Sequence, residues 1–156
     1  MDELTRLAAI EDIKQLKHRY FRGVDTKDWA LIDSVFHDDF VGDFRGAATD
    51  PATGFNPAPD ATSEVVSGRQ AAGESFRASG AHFTSVHHGH NPEITVTSPT
   101  TATGVWALFD TLRFPEGEMA EFQAYGHYHE AYEKVDGAWK IKSSRLTRLR
   151  VDCFMR

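Results

Sequence analysis

Near the start of the chain, Leu7, Ile10, Ile13, Leu16 and Tyr20 recur at steps of three and four, with charged residues such as Glu11, Lys14 and Arg22 between them. This stripe predicts an amphipathic helix of about five turns, with Gly23 as its stop. A second short helix fits Asp28 to Phe36, with Thr26 or Asp25 near its start. Phe40 to Phe44 reads as a short strand. Residues 46–66, rich in Ala, Pro, Thr, Asp and Gly, read as a long surface loop, either a lid beside a pocket or a tolerated insertion. A third helix fits Gly68 to Ala78, with Ser67 as its cap.

From Thr84 onward the pattern becomes that of strands. The segments 84–96, 101–114, 118–134 and 138–152 are rich in Val, Ile, Thr, Tyr, Phe and Trp, and Pro99, Pro115-Glu116-Gly117 and Asp136-Gly137 punctuate them. Asp-Gly between two such runs is a strong hairpin signal. Helices followed by an antiparallel meander indicate an α+β class rather than alternating α/β. A curved antiparallel sheet wrapped over three N-terminal helices makes a cone with an apolar interior and an open mouth, a shape suited to a small molecule.

Composition narrows the function. A length of 156 residues suits a single domain spanning 1–156. A formal net charge of −6 argues against a nucleic-acid surface. No apolar run is long enough to cross a bilayer, and the charged N-terminal stretch lacks a signal peptide's features, so the expected location is cytoplasmic. The single cysteine, Cys153, has no internal partner and reads as a packed apolar residue.

Several residues carry candidate chemistry. Tyr20 reads either as a core tyrosine or as a phenol aimed into the cavity as a hydrogen-bond donor. Asp25 reads either as a helix cap or, released by a break at Gly23, as an inward carboxylate; on an unbroken helix it would point about 140° from Tyr20. In Ser85-Val86-His87-His88-Gly89-His90, strand alternation sets His87 opposite His88 and His90. A histidine held by a carboxylate is the natural general base; the bland alternative is a satisfied or surface imidazole. The pairs His88/His90 and His127/His129, near Glu93 and Glu130, resemble a cupin-type metal pair, but their spacing is too short and three leading helices do not fit a cupin; no metal is expected. Arg145 and Arg148 face opposite ways on a regular last strand, and whichever points inward needs a carboxylate or an anionic ligand. The three tryptophans and many phenylalanines read as core and pocket wall.

The runs Tyr20-Phe21-Arg22-Gly23-Val24-Asp25, Val86-His87-His88-Gly89-His90-Asn91-Pro92-Glu93-Ile94, Thr101–Trp106 and Tyr132–Trp139 resemble the SnoaL-like branch of the nuclear-transport-factor-2-like superfamily. They are most similar to the bile-acid 7α-dehydratase family and, more distantly, to the scytalone dehydratases. The resemblance implies a cone fold and a cofactor-independent hydro-lyase acting on a small hydroxylated aromatic or alicyclic substrate. It implies catalytic roles for Tyr20, Asp25, His87 and Arg148: the aspartate orients the histidine, the histidine moves the proton, the tyrosine polarises oxygen and the arginine holds the aspartate or the substrate. Phe44, His88, Trp106 and Tyr128 are the expected pocket walls. Phe44 stands where the bile-acid enzymes carry a second tyrosine, which argues against a steroid. The same machinery suits a double-bond shift or release of formaldehyde, and relatives also serve as non-catalytic binding or scaffold subunits. Self-association as a homotrimer or homodimer is a further implication.

Overall fold

The N-terminal stripe forms α1 (Glu3–Thr26), whose first turn is closed by Asp2 accepting from Thr5 N. Its buried face begins at Ala9 and runs through Ile13, Leu16, Lys17, Tyr20, Phe21 and Val24; Leu7 lies outside it, about half exposed. The computed structural model describes residues 1–57 and 65–156. α1 is followed by α2 (Trp29–Val35), β1 (Phe36–Asp43), β2 (Val65–Ser67), α3 (Arg69–Gly80), β3 (Thr84–Val96), β4 (Thr101–Arg113), β5 (Met119–Val135) and β6 (Ala138–Met155). The sheet order is β2-β1-β6-β5-β4-β3. Register shifts in β3 and between β5 and β6 mark bulges, which bend strands and increase their twist. The curved, unclosed sheet covers α1, α2 and α3, as the α+β cone reading expects.

Several local expectations are corrected. α1 does not break at Gly23. It continues to Thr26 and ends on Lys27, a non-glycine residue in the left-handed region at φ 59°, where the amide nitrogens of Lys27 and Asp28 return to the carbonyls of Val24 and Gly23. Gly23 serves close packing instead: a Cβ there would lie 2.9 Å from Ile32 Cδ1. Neither Asp25 nor Thr26 caps α2; Asp28 does, accepting from Leu31 N at 3.0 Å. Phe36 opens β1 rather than closing α2, and its buried ring stacks on Phe76 and packs at a tilt against Phe40. α3 starts after Gly68 without a side-chain cap, so Ser67 does not play that part.

The meander forms as the β pattern indicated, and the Asp136-Gly137 turn has positive φ at both residues, as a two-residue hairpin of type I′ requires. The sheet is not wholly antiparallel. β1 joins β6 in parallel, because the chain returns to the sheet through α3 instead of through a hairpin. Of the expected 46–66 loop, residues 65 and 66 belong to β2, which pairs with β1. Its first part is ordered by Asp50, whose side chain accepts from the amides of Ala52, Thr53 and Val151. The rest of the loop, residues 58–64, lies outside the described residues.

Candidate active site

The concave side of the sheet, α1 and α3 line a cavity of about 250 Å³. Its wall includes Tyr20, Val24, Phe44, Phe76, His87 and Tyr128, with Asp110 and Arg148 at one side. The period of α1 and the alternation of the strands explain this gathering. Tyr20 and Val24 are four apart on the helix, so they share a face. His87 pairs with Asp110 across β3 and β4, so both side chains project to the same side of the sheet.

Asp25 takes a different position from the one that a broken helix would give it. On the unbroken α1 it points away from the Tyr20 face, toward β3. There it accepts from Ser85 Oγ at 2.9 Å and His87 N at 2.8 Å, and its Oδ1 lies 2.6 Å from His87 Nδ1. Burial pushes the Asp25 carboxyl pKa up, but these hydrogen bonds and the imidazole outweigh it, and the group sits below its ordinary value. Asp25 therefore backs the imidazole from outside the cavity. Nδ1 is engaged by Asp25, and among the described residues no side chain or backbone group bonds Nε2. Phe21 stacks on the His87 ring at 5.9 Å and 14°. Gly89 makes room for it, since a Cβ at Gly89 would lie 2.5 Å from Phe21 Cε2.

Arg148 is the inward arginine, and its carboxylate is Asp110, not Asp25. Nη1 and Nη2 donate to Asp110 at 2.5 and 3.1 Å, and Nε donates to the Ala47 carbonyl at 2.7 Å. Both side chains are about 95% buried. The guanidinium thus ties the loop after β1 to the cavity wall. Arg145 is exposed on the other side of β6.

Tyr20 and Tyr128 are buried with their rings edge-to-face at 6.0 Å, and burial pushes both phenol pKa values above the ordinary range. Phe44 lines the cavity as expected. Two expected wall residues do not. His88 is exposed on the outer face, stacked at 6.0 Å on Phe109, because one step along a strand reverses the side chain. Trp106 is buried, but its Nε1 donates to Tyr132 Oη at 2.8 Å and it lies apart from the central cavity. Both instead border a second, more open groove of about 810 Å³ between α1 and β3, which Asp25 and His87 also line. Among the described residues, no group of three or more His, Cys, Asp or Glu side chains is placed to hold a metal ion.

Asp110 and the buried Lys17–Glu130 pair escaped the sequence reading. The available signal was a charged residue at a buried position of an otherwise apolar period: Asp110 among Trp106, Leu108 and Leu112, Glu130 between Tyr128 and Tyr132, and Lys17 beside Leu16 and Tyr20.

The SnoaL-like domain model matches residues 5–145. The chain belongs to the SnoaL-like family. Solved members of this fold superpose over nearly the whole chain. A candidate scytalone dehydratase from Novosphingobium aromaticivorans aligns with a TM-score of 0.78 at 21% identity, covering 96% of this chain and 90% of that one. The hexachlorocyclohexane dehydrochlorinase LinA-type3 from Novosphingobium barchaimii aligns with a TM-score of 0.76 at 19% identity, over 98% and 94%. A Mycobacterium tuberculosis protein of unknown function aligns with a TM-score of 0.73 at 24% identity, over 92% and 73%. At these identities the likeness establishes the shared SnoaL-like cone. No helix among the described residues is long and apolar enough to cross a membrane.

Proposed function

We propose that this SnoaL-like protein is a cofactor-independent lyase that removes water from a small, uncharged hydroxylated ring compound. The observation that carries the reading is the 2.6 Å contact between His87 Nδ1 and Asp25 Oδ1, on an imidazole that also lines the cavity. Asp25 fixes the ring and the Nδ1–H tautomer, which leaves Nε2 as the base. His87 takes a proton from the carbon next to the one bearing the leaving hydroxyl. The electron pair of that C–H bond becomes the new C=C bond as the C–O bond breaks. The proton held on His87 passes to the departing oxygen, so the products are an alkene and water. Tyr20 and Tyr128 stabilise negative charge that develops on substrate oxygen.

The cavity supports a substrate of one or two rings rather than a steroid, given its volume of about 250 Å³. Arg148 has its donors engaged by Asp110 and Ala47, so no unpaired cation on the described wall awaits a carboxylate. The neighbouring candidate scytalone dehydratase and the dehydrochlorinase bear names of elimination enzymes, consistent with this class. The test is a screen of hydroxylated aromatic and alicyclic compounds for loss of water, followed by His87→Ala and Asp25→Asn. Each substitution should lower kcat by about 10²–10⁴-fold. Near-wild-type turnover in both would refute the assignment.

A further inference from the structure

Against the cavity wall lies a charged pair that proton transfer by His87 does not use. Lys17 on α1 has no solvent exposure, and its Nζ donates to Glu130 Oε1 at 2.6 Å. Ser144 Oγ donates to the same oxygen at 3.0 Å, and Tyr132 Oη donates to Oε2 at 2.5 Å after receiving Trp106 Nε1 at 2.8 Å. Lys17 Nζ, Ser144 Oγ and Tyr132 Oη all donate to Glu130, and burial pulls the Lys17 pKa down against the opposing effect of the Glu130 charge. The rest of the ammonium faces aromatic rings. Nζ lies 3.5 Å from the Tyr128 ring centroid, 4.3 Å from that of Tyr20 and 4.8 Å from that of Phe21.

Stability alone is a weak reason for such a pair, since well-packed apolar residues in place of a buried ion pair are often as stable or more so. Its location is more informative. The cation sits on the faces of the two phenols that line the cavity, while Glu130 is bonded to Tyr132 and Ser144. Burial, helped by the negative charges of Asp110 and Glu130, keeps both phenols protonated. Of these two cavity-lining phenols, Tyr128 has the ring nearer to Lys17 Nζ, 3.5 Å against 4.3 Å for Tyr20. A cation over the face of an aromatic ring is attracted by its electron density and draws that density away from the phenol oxygen, which makes the O–H a stronger donor.

We propose that Tyr128 Oη is the direct donor to the developing oxyanion and that Lys17, fixed by Glu130 against the Tyr128 ring, is a positioning residue that strengthens that donor. The proposal deepens the lyase reading and rests on it only for what the charge is used for.

The test separates the two. 4-Nitrophenolate mimics a ring oxyanion, and 4-nitroanisole is its neutral counterpart. Wild-type protein should bind the phenolate about tenfold more tightly than the anisole. Lys17→Met alone would leave Glu130 unpaired and endanger folding, so the working variant is Lys17→Met/Glu130→Gln, with Tyr128→Phe as a second. Both should lose most of that preference while anisole binding stays within about twofold. Equal weakening of both probes would show a merely structural role and overturn the proposal, as would wild-type protein without a phenolate preference. His87→Ala should keep the preference; its loss there would assign the anion to the imidazole and also overturn the proposal. Wild-type turnover by His87→Ala would instead sink the lyase reading and leave the probe result standing.

Discussion

Asp110 and Arg148 show how one buried pair defines its surroundings. Each is about 95% buried, and each satisfies the other. Removing one partner leaves an uncompensated buried charge, which costs more than the pair contributes. Asp110→Asn should therefore destabilise the fold by about 3–5 kcal/mol, measured as a shift of the urea midpoint. The double substitution Asp110→Leu/Arg148→Met should recover most of that loss. The same pair marks a limit of sequence reading. The need of an inward arginine for a carboxylate was legible from strand parity, but the carboxylate's identity was not. Asp110 and Arg148 are on strands that are not neighbours, with β5 between them, so the pairing exists only once the sheet is curved and the side chains converge.

The helices and their ends set which side chains reach the cavity. α1 runs unbroken past Gly23 to Lys27, and its period parts Tyr20 from Asp25. Nothing local announced this, because Gly23 carries a stop signal and the real stop is a lysine in a conformation usually left to glycine. The contact that explains Gly23 is with Ile32 on α2, and such tertiary packing is invisible in a single segment. The strands were more legible. Their alternation set His87 against His88 correctly, although His88 was still expected on the pocket wall. At the start of α2, Asp28 accepts from Leu31 N. Asp28→Ala should cost about 1 kcal/mol through loss of that cap, seen as a lower Tm with an unchanged far-UV spectrum.

For the whole molecule, pH acts through carboxylates held below their ordinary pKa. Asp50 is lowered by the Val151 amide and by Thr53, and Asp25 by His87 and Ser85 against the effect of burial. A depressed carboxyl adds stability that is fully present above its unfolded pKa of about 3.9 and is lost as pH falls through the folded value. Thermal melts should therefore be flat from neutral pH to about pH 5 and fall steeply below about pH 4. Asp50→Asn should lower Tm at pH 7 and make the acid slope shallower; an unchanged slope would show that Asp50 does not carry this effect. The overall cone was legible because element order and strand pattern agree. The parallel β1–β6 junction was not, since it depends on where the chain re-enters the sheet.

The place of Asp25 behind the imidazole, off the cavity wall, has an evolutionary consequence. Phe44, Val66, Ala72 and Leu112 shape the cavity, whereas the Asp25–Ser85 contact that holds His87 stands behind it. Mutation can therefore reshape the mould without disturbing what holds the imidazole. If the proposed lyase reading holds, a lineage built on this plan is free to diversify in what it accepts while inheriting the same Asp25–His87 unit intact.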